Sequence, residues 1–300
     1  MEEYLNSISH DEYLFKVDLF VHSAWIGHAP FLKFLIRDLR PNNYVELGVH
    51  NGFSFFLACQ SFVENNIIGK TYAVDHWEGD GHVGQFGAEI FEEVKINNAR
   101  YKEFAELIKK DFNKAVKEFE NNSIDVLHID GFHSYESVKA DFENWLPKMS
   151  NHGVVLLHDI SVRRNGFGVY KLWGEIKQKY RYLEFVGSHG LGVVFLGDIQ
   201  GRNLKDLYNF SLKENGMAII QGVFGSISDD VIQSSTNAIY KGVALQRDSA
   251  VAERDSAVAE RDSAVAERDS AVAERDSIKQ SFTWRVFLPY RKAKNLFRRI

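Results

Sequence analysis

The stretch IDVLHIDGFHSYESVKADFENWLPKMSNHGVVLLHD, residues 124–159, decides the fold. A β-rich run, Asp125–Asp130, ends on an acid and a glycine turn. An amphipathic pattern of helical period follows over Tyr135–Trp145, and Gly153–Asp159 is a second β-rich run ending on a second acid. Strand, helix and strand at this spacing form a βαβ unit, whose two strands lie parallel. The same alternation continues outward on both sides. Further β-rich runs are Tyr44–Gly48, Thr71–Asp75, Glu103–Lys109, Leu183–Gly187 and Gly192–Leu196. Helical patterns fall at Pro30–Leu39, Asn51–Glu64, Gln85–Tyr101, Phe112–Phe119 and Gly168–Tyr180. Only Ser188–Leu191 separates the last two runs, which permits a hairpin and nothing longer, so the final strand runs antiparallel. The expected fold is α/β: a Rossmann-like seven-stranded sheet with an antiparallel last strand, followed by a long C-terminal helix or coiled coil.

Composition narrows the classes. The 300 residues are 45% hydrophobic and 26% charged, ordinary values for a globular chain. A net charge of −5 argues against a nucleic-acid binder working through bulk charge. The single cysteine, Cys59, excludes an intrachain disulfide framework and a cysteine-rich zinc site, and it fits a reducing, cytoplasmic compartment. The polar, acidic N-terminus does not read as a signal peptide. No apolar run approaches the roughly 20 residues that span a bilayer.

The sequence divides into an α/β domain over 1–200, a helical linker over 201–245, a heptad-repeat helix over 246–278 and a basic aromatic tail over 279–300. Residues 247–274 are four identical copies of RDSAVAE. The repeat is Ala-rich and free of Gly and Pro, so it reads as helix, and its period of seven suggests a coiled coil. The apolar stripe is thin, however. With Val251 at one core position, Arg254 or Asp255 falls at the other, so a solvated helical spacer is the alternative to a self-associating helix. The tail holds seven Lys/Arg, no Asp/Glu, and Phe282, Trp284, Phe287, Tyr290 and Phe297. That composition suits an interface with anionic lipid or with a protein partner.

In an open α/β sheet, ligands bind beyond the carboxyl ends of the strands. Four places qualify. Glu46-Leu47-Gly48-Val49-His50-Asn51-Gly52-Phe53-Ser54 passes from strand through a glycine turn into a helix N-terminus; alone it is equally a plain β–α turn. Asp75 ends the second strand, where an acid grips ribose hydroxyls or caps a loop. Asp111 and Phe112 follow the third, as a polar group and an aromatic against a base ring, or as an N-cap and a core residue. Asp130 and Asp159 end adjacent parallel strands. Two carboxylates so placed repel unless a cation or proton lies between them, and oxygen ligands favour Mg²⁺, Mn²⁺ or Ca²⁺. His133 stands one short turn beyond Asp130, placed for a general base.

The order ELGVHNG, AVD, KDF and IDGFHSY…LHD resembles class I S-adenosylmethionine-dependent methyltransferases over roughly residues 40–200. More narrowly, it is similar to the macrocin O-methyltransferase-like group, which methylates sugar hydroxyls with a divalent metal. The resemblance implies that Glu46, Gly48, Gly52 and Ser54 surround the methionine part of the cofactor. It implies Asp75 at the ribose, and Asp111 with Phe112 at the adenine. Asp130 and Asp159 would be metal ligands with His158 beside them, and His133 the catalytic base. His50 replaces a glycine of the commoner loop, and His158 stands where relatives often carry a carboxylate. The implied cofactors are S-adenosylmethionine and Mg²⁺ or Mn²⁺; the implied acceptor is a sugar or glycan of surface-polysaccharide assembly.

Two further expectations concern the surroundings. Glu78–Gly87, rich in glycine and holding His82 and Gln85, reads as a mobile lid over the acceptor or as an ordinary connector. The tail would hold the protein to a glycosyltransferase complex or to the inner face of the membrane, and the heptads would join copies into a homo-oligomer. Two other classes compete with the methyltransferase: a nicotinamide oxidoreductase, disfavoured because no Gly-x-Gly-x-x-Gly follows a strand, and a non-catalytic cofactor-binding scaffold, disfavoured by Asp130, His133 and Asp159 standing together.

Overall fold

The structure is a computed structural model; it describes residues 1–21, 23–80, 84–85, 87–164, 166–281 and 286–287. Seven strands form one sheet: β1 Asn43–Leu47, β2 Lys70–Asp75, β3 Ala105–Lys109, β4 Ile124–Ile129, β5 Met149–His158, β6 Arg181–Phe185 and β7 Leu191–Phe195. Their spatial order is β3-β2-β1-β4-β5-β7-β6. β1, β2, β3, β4 and β5 pair in parallel, whereas β7 runs antiparallel to both of its neighbours. The reversal of order lies between β1 and β4, which puts the crevice of the fold beside Gly48 and Asp130.

Alternation along the strands explains why the sheet is buried on both sides. Tyr44, Ala73, Val126, Val154 and Leu156 point into one core, while Val45, Leu47, Val74, Leu127, Val155 and Leu157 point into the other. The first core is closed by α3 (Ala29–Leu39), α4 (Phe53–Glu64) and α9 (Arg202–Ser211). The second is closed by α6 (Phe112–Ala115), α7 (Tyr135–Trp145) and α8 (Val169–Ile176). α3 starts on Pro30 in its first turn, where the missing N–H costs nothing, and ends at Arg40 with φ 51°. The helix α5 (Ala88–Asn98) covers the β2–β3 connection, with Val94 in the first core.

The N-terminal segment is a finding that the pattern analysis lacks. α1 (Glu2–Ile8), α2 (Glu12–Phe15) and a 3₁₀ turn, Ala24–His28, place Leu5, Leu14 and Trp25 in the first core. Lys33 fastens this segment. Its buried Nζ donates to the Lys16 carbonyl at 2.6 Å, sits 2.8 Å from Glu64 Oε2 and lies over the Tyr13 ring.

The compact unit runs Met1–Ile239, taking in residues of the span read as a linker. The reason is burial: Leu204, Leu207, Phe210, Ile220, Phe224, Ile227 and Val231 all enter the first core. Removing each such side chain from water stabilises the unit by roughly 1.5–3 kcal/mol. The last helix, α10, spans Gly216–Gln280, so the RDSAVAE copies are helical. Val251, Val258, Val265 and Val272 recur on it, each about two-fifths exposed. The second unit is Tyr240–Ile300. Among the described residues, no helix is long and apolar enough to cross a membrane. Most of the basic aromatic tail lies outside the described residues, as does His82 of the lid expectation; Gly79–Asp80 and Gly84–Gln85 form a short antiparallel ladder.

Candidate active site

A cavity of about 650 Å³ opens at the carboxyl ends of β1 to β5. Its floor is the loop from β1 into α4. Gly48 takes φ 85° and its N–H donates to the Val74 carbonyl at 3.0 Å, while Asp130 N–H donates to the Leu47 carbonyl at 2.8 Å. A Cβ on Gly48 would lie within 2.6 Å of the Asp130 carbonyl carbon, so this position admits glycine alone without backbone movement. Gly52, at φ 83°, begins α4 under the Phe56 ring.

Asp75 organises that loop. Its Oδ2 accepts from Val49 N–H at 2.8 Å and His50 N–H at 3.1 Å, and its Oδ1 accepts from Trp77 N–H at 2.7 Å. A carboxylate has about four acceptor sites, so three are taken and little is left for ribose. Glu46 lies fully buried and does not line the cavity. It accepts from Tyr44 Oη and from Ser54 Oγ, both at 2.7 Å, and His128 Nδ1 stands 3.1 Å from its Oε2. Trp25 Nε1 donates to the other nitrogen of that ring at 2.9 Å. Glu46 and Ser54 thus tie β1 to α4, with Ser54 reaching the cavity and Gly52 behind it.

Asp111 and Phe112 line the cavity. Asp111 caps α6 by accepting from Asn113 N–H at 2.9 Å. The Phe112 ring packs where a side chain on Gly131 would be, 3.2 Å from the missing Cβ at its Cζ.

An acid–histidine group also lines the cavity. Asp130, His133 and Asp159 offer ligand atoms within 4.8 Å of one another. His133 Nε2 is 2.8 Å from Asp159 Oδ2 and 3.5 Å from Asp130 Oδ1, and its ring stacks on Phe167. Burial works against charge on this ring, but the hydrogen bonds to Asp130 and Asp159 outweigh it and lift its pKa to about 10. Asp130 is held well below the carboxylate range: burial opposes ionisation, and the His158 charge with the hydrogen bonds from His133 and His158 overcomes it.

His158 faces two acceptors: Asp130 Oδ1 at 3.1 Å from Nδ1, and the Ser188 carbonyl at 3.0 Å from Nε2. Burial opposes charge on this ring, but the Asp130 charge and the hydrogen bond to it outweigh burial and raise its pKa. His158 lies outside the three-residue group. His28 donates to the same Ser188 carbonyl at 3.0 Å, and burial, aided by the His158 charge, lowers its pKa to about 3.

Three side chains of this site escaped the pattern analysis. Trp25 lines the cavity from the N-terminal 3₁₀ turn, which carries no periodic signal. His189 Nδ1 lies 3.0 Å from Asp159 Oδ1, on the β6–β7 turn. Ser188, His189 and Gly190 there have φ of 46°, 68° and 90°, and Asp159 itself has φ 61°. Such conformations cost about 1–3 kcal/mol each at non-glycine positions and gather at functional sites. A histidine in a turn at the carboxyl edge of the sheet was the available signal. Asp141, on α7, also lines the cavity and is buried.

A 176-residue stretch is 47% identical to the uncharacterized protein y4gI of Sinorhizobium fredii, covering 59% of this chain and 19% of that protein. The chain thus spans about a fifth of the length of the curated relative it matches. Among solved structures, a putative caffeoyl-CoA O-methyltransferase from Staphylococcus aureus is 16% identical, with 65% of this chain and 91% of that one covered and a TM-score of 0.45. The O-methyltransferase TomG from Streptomyces achromogenes, in complex with SAM, is 14% identical, with 66% and 91% covered and a TM-score of 0.45. Residues 45–160 match the family model Methyltransf_24, described as a methyltransferase domain. The wall of the cavity from Gly48 to Asp159 lies within the matched stretch.

Proposed function

We propose that this protein transfers a methyl group from S-adenosylmethionine to a hydroxyl of a sugar or glycan precursor. The observation that carries the reading is the meeting of Asp130, His133 and Asp159 in a cavity whose floor is a glycine loop on a helix N-terminus. The hydroxyl oxygen attacks the methyl carbon, the carbon–sulfur bond breaks with its electron pair left on sulfur, and the hydroxyl proton passes to a base. The cavity's share of the work is alignment of oxygen, carbon and sulfur and exclusion of water.

Carboxylate oxygens suit Mg²⁺ or Mn²⁺, and Asp130 and Asp159 are the residues that would hold the ion, leaving His133 Nε2 for the proton. Bound there, such a cation lowers the pKa of an acceptor hydroxyl. His133 serves as base only with a neutral ring. Its raised pKa comes from the two carboxylates, so engaging them elsewhere returns the ring toward its ordinary range and frees Nε2 to take a proton. The sugar acceptor rests on the resemblance of IDGFHSY…LHD to sugar O-methyltransferases.

The single cysteine fits a cytoplasmic site of action, and the seven Lys/Arg and five aromatics of the tail, 279–300, suit the inner face of the membrane or a glycosyltransferase complex. Self-association would use the valine stripe of α10. The test is transfer of labelled methyl from S-adenosylmethionine to a panel of nucleotide sugars, with and without EDTA. Transfer that needs Mg²⁺ or Mn²⁺ is expected. Turnover unchanged in excess EDTA would remove the cation, and no transfer to any hydroxyl acceptor would remove the reading.

A further inference from the structure

Arg163 and Arg164 stand side by side in the loop from β5 to α8, and the structure uses them differently. Arg163 Nη1 donates to the Ile160 carbonyl at 2.9 Å and to the Val162 carbonyl at 3.4 Å, and its guanidinium lies over the Tyr170 ring. Arg163 therefore holds the loop. Arg164 lines the cavity instead. Among the described residues its guanidinium makes no hydrogen bond and no ion pair; it lies over the Phe167 ring, 5.7 Å from the centroid. An aromatic ring engages the flat side of a guanidinium and leaves its planar fork of N–H donors free.

Charge makes this side chain stand out. Among the described residues that line the cavity, Arg164 is the one Lys or Arg, against six Asp or Glu. An anionic group entering the cavity is repelled by those carboxylates and attracted by this guanidinium. The topology says which ligand would bring the anion. The glycine loop, Asp75 and Asp111 follow β1, β2 and β3, which lie together on one side of the reversal in strand order. β4, β5 and β7 lie on the other side, with Asp130, Asp159 and His189 at their ends. Arg164 belongs to this second group. It follows Asp159 in the same loop, and the Phe167 ring beneath it stacks on His133 with centroids 4.7 Å apart and planes at 8°. The guanidinium thus stands by the base and the acceptor, across the sheet from the strand ends expected to hold the nucleoside.

We propose that the acceptor is an acidic sugar, and that Arg164 binds its phosphate or carboxylate. A guanidinium pairs with either oxyanion through two parallel N–H donors. The proposal rests on the methyltransferase reading above and narrows its acceptor. The probes are a panel of hexoses, each offered as the 1-phosphate, the uronic acid and the neutral methyl glycoside. Each is titrated by calorimetry into the complex with S-adenosylhomocysteine. For at least one hexose an acidic form should bind about ten-fold or more tightly than the neutral form, and which acid does so separates phosphate from carboxylate. Arg164→Gln should bring that ratio close to one while S-adenosylhomocysteine binds as in wild type. Arg164→Lys, which keeps a charge without the fork, should fall between.

Acidic and neutral forms that bind wild type alike, or a panel in which none binds, overturn the proposal. So does an Arg164→Gln that keeps the full ratio, which would assign the anion to a bound cation. So does an Arg164→Gln that loses affinity for S-adenosylhomocysteine, which would assign the guanidinium to the cofactor's own carboxylate. In each of these cases wild type still binds S-adenosylhomocysteine and the methyltransferase reading survives. A wild type that does not bind it overturns that reading, and this proposal with it.

Discussion

Replacing Gly48 with alanine should damage the fold and the site together. The added Cβ would come within 2.6 Å of the Asp130 carbonyl carbon and 2.9 Å of Gly131 N, and closest to the Asp130 carbonyl oxygen. These are backbone atoms just past the end of β4, so no side chain can swing away. Gly48 also holds φ 85°, a conformation that costs an alanine about 1–2 kcal/mol. Relieving the contact means moving the end of β4 by roughly an ångström, and overpacking of this kind costs about 1–3 kcal/mol. The sum is about 2–5 kcal/mol of stability. The same shift displaces Asp130 from His133 and Asp159, and misplacement by an ångström costs about 100-fold in rate. Urea unfolding followed by tryptophan fluorescence, with methyl transfer measured in parallel, tests both effects. A Gly48→Ala protein within 0.5 kcal/mol of wild type, a bound set as roughly the scatter of neutral surface changes, with unchanged turnover would refute the close passage of the β1 loop over Asp130.

Other perturbations separate the remaining roles. Asp75→Ala removes the acceptor for three backbone N–H groups, so both thermal stability and S-adenosylhomocysteine affinity should fall, the latter about ten-fold or more; unchanged affinity by calorimetry would count against it. Asp130→Asn and Asp159→Asn should abolish turnover while S-adenosylhomocysteine still binds, and His133→Ala should lower turnover about 10²- to 10⁴-fold; wild-type rates in any of them would move the reacting centre elsewhere. Asp141 binds its proton more tightly folded than unfolded, since its pKa rises from 3.8 to about 7. Its contribution is therefore fully present below about pH 4 and is lost as pH climbs to 7, by about 1.4 kcal/mol per unit and about 4 kcal/mol at most. Asp141→Asn should accordingly gain on wild type across that window in urea titrations; parallel pH profiles would contradict the buried-acid assignment.

The strands were legible because a sheet covered on both faces writes itself as short apolar runs, and the helices between them because each buries one side. The acids at Asp75, Asp130 and Asp159 were legible because each ends such a run, and strand ends are where this fold exposes side chains to a ligand. The antiparallel β7 followed from the short Ser188–Leu191 connection, and the helical repeat from alanine without glycine or proline. None of these needs knowledge of a distant partner. What each polar group faces does need it. Glu46 stands at a strand end like Asp75, yet Tyr44, Ser54 and His128 enclose it and keep it off the cavity. His158 meets Asp130, 28 residues away, and a carbonyl 30 residues away. Trp25 reaches His128 across 103 residues, from a five-residue turn too short to show a period. Local pattern records which face a residue shows; protonation, ligand capacity and enclosure depend on the partner, and only the tertiary structure supplies the partner.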